Sequence, residues 1–398
     1  PCRETVRKVQ AWYAARRLPR PGSGTAAYCN ARSRLSRDTL LDIHRHTAVE
    51  SQRRVTREQL WCGRRVKVVD GTGVSMPDTP KNQKAFPQPS NQKKGCGFPV
   101  AKLVGSFCLA SGALLDWAEG TQHVHERKLF RKLFPTFLAG DVALTDRGFC
   151  SYVDIALLLR RGVDTVMRLH QARPSDLRHG KRLGPNDRLV TWQKPKQRPR
   201  GCTLTDWHRV PNTLTLRLVY VSVNVPGWRT QSLVVVTTLT DPIAYPAADL
   251  AKLYLRRWAV ELFFRDIKIT LGMDVLRCQT PAMVRKEIVM HAIAYNLIRA
   301  LMQQAAALYH VPIERLSFKG SVDTLRQWSD TLNAAHNKPR EQARLFNQLL
   351  QILAEDTVPL RPNRSEPRVR KRRPKAYPLM THPRRDYRLA AESKKELK

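Results

Sequence analysis

The spacing of apolar and polar positions divides this chain into segments of different period. Val66-Lys67-Val68-Val69 reads as a short apolar strand closed by Asp70 and Gly71. Residues 102–110 and 113–117 read as further strands. Residues 126–134 carry Leu129, Phe130, Leu133 and Phe134 on one side, which predicts an amphipathic helix stopped by Pro135. Val142-Ala143-Leu144-Thr145 predicts a buried strand, 151–161 a helix capped by Ser151, and 164–169 another strand. The order β-β-β-α-β-α-β predicts an α/β core with a mixed sheet.

Around this core the pattern changes. Residues 1–60 are Arg-rich, with helices predicted over 4–17 and 38–49 on either side of the breaker cluster Pro19-Arg20-Pro21-Gly22-Ser23-Gly24. Residues 171–245 lose the alternation and contain two β-branched-rich runs, 213–224 and 231–239, around Pro226-Gly227, which predicts a β-rich insertion. Helical periodicity resumes over 247–270, with a break only after Leu271-Gly272, and again over 281–308. The expected organisation is a basic helical region at 1–60, a core split between 61–170 and 246–310 by the insertion at 171–245, a helical region at 311–360, and a basic tail at 361–398. That tail has fourteen Lys/Arg against four Asp/Glu and five prolines, and is expected to be disordered when free. No repeat of solenoid length is visible.

Charge adds the first functional constraint. The 398 residues contain 70 Lys+Arg and 33 Asp+Glu, a net +37, while the 42% hydrophobic content is that of a globular chain. So much like charge resists compaction unless an acidic partner neutralises it, and nucleic acid is the expected partner. A basic but merely soluble protein is the competing reading. No apolar run is long enough to span a bilayer and no signal peptide is visible, so a cytoplasmic, nucleoid-associated protein is expected, with no membrane partner. The eight cysteines form no CxxC pair, which suits reduced thiols. The chain begins at Pro1 rather than Met, so the natural N-terminus is expected upstream.

Three acids stand out in a chain short of them: Asp70 and Asp146, each at the end of a predicted strand, and Glu261 in the helix over 247–270. Carboxylates so placed suit a site for two divalent ions, because hard oxygen ligands bind Mg²⁺ and paired metals clamp both oxygens of an in-line displacement. Either aspartate alone reads equally as a turn residue before glycine. The helix is more specific. Tyr254, Arg257, Glu261 and Lys268 are offset so that, at about 100° per residue, all fall within about 60° of one another. Leu253, Trp258, Val260, Leu262, Phe263 and Ile267 occupy its other sides, so the helix presents a polar stripe to something charged. A solvated face with an Arg257–Glu261 pair is the alternative. Less informative are Asp141, expected to cap a strand entry, His123 and His125, too few for a metal site, and the basic loop 81–94, which suits DNA backbone or solvent equally.

The pattern Tyr254-x2-Arg257-x3-Glu261-x6-Lys268 resembles the signature of bacterial insertion-sequence transposases of the DDE class, the insertion-sequence-four type. Val68-Val69-Asp70-Gly71-Thr72 resembles the first-aspartate motif of that family, and Thr145-Asp146-Arg147-Gly148-Phe149-Cys150-Ser151-Tyr152 the second; His291–Arg299 also looks like the family. The resemblance covers roughly residues 38–308. It implies a ribonuclease-H-like mixed-sheet core with a β-strand insertion and flanking helical basic segments. It further implies Asp70, Asp146 and Glu261 as catalytic ligands of two Mg²⁺, with Mn²⁺ as a substitute, and Tyr254, Arg257 and Lys268 as holders of transposon-end phosphates. In relatives an aromatic of the β insertion holds a flipped base during a hairpin step, and Trp228 is the position expected to do so, with Trp192 and Trp207 as neighbours in the same region. The implied partners are double-stranded DNA, both terminal inverted repeats and target, and a second copy in a synaptic homodimer. A metal-dependent nuclease or resolvase on the same fold, and a truncated, inactive DNA-binding remnant, stay open beside it.

Overall fold

The computed structural model describes residues 2–173, 179–199, 201–223, 232–360 and 379–387. Helices α1 (Cys2–Ala15), α2 (Ala26–Arg34) and α3 (Arg37–Arg53) precede β1 (Val66–Ser75), α4 (Pro80–Ala85), β2 (Val100–Cys108), β3 (Leu114–Thr121), α5 (Glu126–Lys132), β4 (Val142–Thr145), α6 (Tyr152–Leu159) and β5 (Asp164–Arg168). Next come β6 (Lys181–Gly184), β7 (Asp187–Gln193), α7 (Leu204–Arg209), β8 (Thr213–Ser222) and β9 (Ser232–Thr237). The chain closes through α8 (Ala247–Arg256), α9 (Ala259–Arg265), α10 (Pro281–Leu308), α11 (Phe318–Ala334) and α12 (Pro339–Glu355). The expected β-β-β-α-β-α-β order is present, with the short α4 added between the first two strands. Helix α2 follows the glycine-rich breaker cluster, where the sequence signalled only a break.

All nine strands among the described residues form one mixed sheet, in the order β3-β2-β1-β4-β5-β9-β8-β7-β6. Strands β1 to β3 are antiparallel neighbours, while β4 and β5 run parallel to β1. That five-strand arrangement is the ribonuclease-H-like one. The β-rich stretch continues the same sheet, because β9 pairs antiparallel with β5. Strand β4 is central and wholly buried, so it reads as unbroken apolar sequence rather than an alternation. Truncating Leu144, fully buried in it, to Ala costs about 2–5 kcal/mol.

The sheet separates two cores. Val66, Val68, Val142, Leu144 and Val166 face the side packed by α8, α9, α10 and α12. Val69, Ala143 and Met167 face the side packed by α5 and α6. Two buried ion pairs sit within the framework. Lys67 meets Asp141 at 2.7 Å, so Asp141 is chiefly a charge partner inside the core, though it also accepts a bond from the Leu138 amide at 2.8 Å. Arg217, fully buried, grips Asp187 through two bonds of 2.6 and 2.9 Å and donates to the Tyr245 carbonyl at 2.7 Å. The N-terminal α3 is fixed to α10 through Asn296, whose amide bonds both the N–H and C=O of Leu114 and the Thr47 hydroxyl.

All eight cysteines are free thiols, as their spacing implied. Among the described residues no helix is long and apolar enough to cross a membrane.

Candidate active site

The parallel strands β1, β4 and β5 share the rungs Val69↔Thr145 and Thr145↔Met167. The next residues, Asp70, Asp146 and Arg168, therefore form a row across three strands. Side chains alternate faces along a strand, so these three share a face with Val68, Leu144 and Val166, the face covered by α8 and α9. The apolar pattern of each strand thus aims its polar residue at the helix that carries Glu261.

Two details differ from expectation. Asp70 does not end its strand: β1 continues to Ser75, paired with β2 as far as Ser75↔Val100. What stops at Asp70 is the pairing with β4, which frees one side of the strand for the site. The β-poor sequence Gly71-Thr72-Gly73 hid this continuation, because its extended form is imposed by β2. On the opposite face the Glu126 carboxylate lies over Gly71, its carbon 2.9 Å from where a Cβ would stand. Nor is the segment 247–270 one straight helix. It breaks at Arg257-Trp258 and ends in a π-helical turn over Asp266–Thr270, which carries more residues per turn than the projection assumed.

The break changes which residues meet. Arg257 lies between α8 and α9, its Nη1 3.3 Å from Asp70 Oδ2 and its Nη2 3.4 Å from Glu261 Oε1. The buried Tyr254 hydroxyl lies within hydrogen-bond reach of Arg257. Lys268, rotated by the π turn, pairs with Asp274 at 3.0 Å instead of with the three acids. Arg168 lies near enough for its charge to act on the Tyr254 phenol; sequence reasoning passed over it, although its place at the end of a buried strand, like that of Asp146, was the available signal. Trp228 lies outside the described residues. Trp192 and Trp207 pack against the second core under Arg173 and Lys194.

The cluster is short of positive charge. Burial, with Asp146 and Glu261 nearby, pushes the Asp70 carboxyl up to about 6 despite bonds from the Gly71 amide and attraction from Arg257. Burial also lifts the Tyr254 phenol to about 12. For Arg257 burial works against the charge, but Tyr254, Asp70, Asp146 and Glu261 more than offset it and hold the guanidinium charged. Asp146 is oriented by the Gly148 amide, which donates to Oδ1 at 2.8 Å.

These donors suit divalent ions in kind: three carboxylates, all hard oxygen, around a spot that already attracts a cation. They are not drawn to one point. Among the described residues no three acid, imidazole or thiol groups stand close enough to ligate a single ion. Outside the cluster, His125 caps α5, its Nδ1 accepting from the Arg127 amide at 3.3 Å, which gives it a structural task. Ser151 stands at the start of α6 without a side-chain capping bond to the backbone.

Residues 61–297 match the family model described as the transposase DDE domain. The transposase InsG for insertion sequence element IS4 of Escherichia coli (strain K12) is 28% identical over 362 residues, covering 90% of this chain and 79% of the relative. Among solved structures, the piggyBac transposase synaptic complex with hairpin DNA is similar at a TM-score of 0.41 and 11% identity. That likeness covers 72% of this chain, which spans 57% of the piggyBac chain. The matched stretch spans the positions of Asp70, Asp146 and Glu261, and the chain belongs to the DDE transposases, in their insertion-sequence-four type: DNA transposases, which cut and join DNA.

Proposed function

We propose that this chain cuts the ends of its own insertion sequence and joins the resulting 3′-hydroxyls to target DNA in one active site. The observation that carries the reading is that Asp70 and Asp146 stand side by side on one sheet face, with Arg257 bridging Asp70 to Glu261 on the helix above. Asp70, Asp146 and Glu261 hold the divalent ions, Mg²⁺ in the cell and Mn²⁺ as a substitute. Bound there, two such ions supply activation of the attacking oxygen and stabilisation of the leaving 3′-oxygen.

The chain's own residues do the positioning. Arg257, Tyr254 and Arg168 line the row beside the acids and fix phosphates of the scissile strand, setting register without reading bases. Lys268, anchored to Asp274, meets the backbone further along. Fixing the phosphodiester against the carboxylates converts an encounter into an oriented step. Trp228 is the proposed holder of a flipped base. Two ends need two active sites, so a homodimer on DNA is part of the same reading, and the basic segments at both ends of the chain add salt-sensitive affinity for it.

A duplex already ending in a free terminal 3′-hydroxyl, mixed with plasmid target and Mg²⁺, tests this. Joined product is the expected result. Cutting of the plasmid without joining would replace the proposal with a nuclease, and salt-sensitive binding with neither reaction would leave a DNA-binding remnant.

A further inference from the structure

We propose that Arg257 is the resident counterion of the acidic cluster in the DNA-free protein, and that a DNA phosphate draws its guanidinium away, so that metal and DNA bind cooperatively. The inference rests on the metal-site reading above and adds a coupling to it.

The contrast between two arginines carries the argument. Arg217 holds Asp187 through two short parallel bonds, 2.6 and 2.9 Å, in full burial, the geometry of a permanent pair. Arg257 touches two different carboxylates once each, at 3.3 and 3.4 Å, at the long end of hydrogen bonding. It is a bridging cation, held by charge more than by geometry, and its side chain keeps 16% exposure. It also sits at the junction of α8 and α9, where the backbone stays helical but tightens to bonds three residues apart.

Arg257 is the cation in contact with both Asp70 and Glu261; Lys268 is committed to Asp274. A divalent ion entering between these acids meets the guanidinium already there. Both cannot be accommodated without like-charge repulsion at close range. A phosphate beside the site offers the guanidinium a bidentate partner and vacates the carboxylates. By linkage, whatever factor DNA adds to metal affinity, metal adds to DNA affinity. The consequence is a site that loads fully only when a phosphodiester is in place, which limits unproductive metal binding in the free protein.

The test uses the full chain at constant ionic strength. Mn²⁺ binding without DNA is followed by electron paramagnetic resonance, and binding of a fluorescent duplex is followed by anisotropy with and without Mn²⁺. Parent, Arg257→Gln, Arg257→Lys and Asp70→Asn are compared, each checked for folding by circular dichroism. The expectation is that Arg257→Gln binds Mn²⁺ several-fold tighter than the parent without DNA. In the parent Mn²⁺ should tighten DNA by about 5-fold or more, and in Arg257→Gln that gain should shrink to what direct contact between ion and phosphate supplies, while Arg257→Lys retains more of it. Equal or weaker Mn²⁺ binding in Arg257→Gln, with Asp70→Asn still abolishing it, would overturn the coupling and leave the metal site standing. Mn²⁺ binding indifferent to Asp70→Asn would instead remove the metal-site reading beneath it.

Discussion

Asp70 and Asp146 stand side by side on parallel strands, one residue past the shared rung Val69↔Thr145, where β4 ends and β1 continues. The strand that stops and the strand that goes on together open a notch in the sheet, with both carboxylates on the face toward Glu261. Beyond the Arg257 pair, their side-chain bonds are local: Asp70 accepts from its own neighbour Gly71, and Asp146 from Gly148.

Asp70→Asn and Asp146→Asn should therefore each reduce cleavage by on the order of a thousand-fold or more, with the circular dichroism spectrum unchanged. A variant that retains a tenth of parental activity would remove its residue from the site.

Asn296 presents a different case, a buried amide with every contact structural. It spans Leu114 and Thr47 and so couples α10 to β3 and α3. Asn296→Leu removes the side-chain partner of the Leu114 N–H and one of two donors to its C=O, and should cost about 2–4 kcal/mol, seen as a lower midpoint in urea.

The Arg217–Asp187 pair yields a double-mutant prediction. Asp187→Ala strands a buried guanidinium and should cost about 3–5 kcal/mol, whereas Asp187→Leu combined with Arg217→Met should recover most of that loss. Additive losses in the double variant would show that the pair is not coupled. The measurement is chemical denaturation of Asp187→Leu, Arg217→Met, the double variant, Asp187→Ala and the parent.

His44 on α3 sets a pH dependence. Burial, with Trp117 edge-on at 4.9 Å, lowers its imidazole to about 4 from an ordinary 6.5. The unfolded chain then binds a proton that the folded chain refuses between these values. His44 accordingly contributes stability present above about 6.5 and lost as pH falls toward 4, on the order of 3 kcal/mol. Between pH 7 and pH 4.5 the parent's denaturation midpoint should fall relative to that of His44→Leu. A gap that stays constant would show that His44 does not titrate between the two states.

What the sequence disclosed, and what it withheld, follows from periodicity. The apolar runs 142–145 and 164–169 and the amphipathic stretch 281–308 correspond closely to β4, β5 and α10, because burial alone dictates those residues. The continuation of β1 through Gly71 and Gly73 was not legible, since β2 imposes it from outside. The π turn at Asp266–Thr270 was equally hidden: helical projection assumes one residue spacing throughout, and so Lys268 was aligned with acids it does not meet. Tyr254, Arg257 and Glu261 survive as neighbours because their offsets are short enough for the break at Arg257 to leave them adjacent.

The most direct test of the account is cleavage and joining of a labelled duplex bearing the element's own ends, with Mg²⁺, by the parent and by Glu261→Gln. Joined product is expected from the parent, and neither cutting nor joining from Glu261→Gln at undiminished DNA binding. Joined product from Glu261→Gln at the parental rate would contradict it.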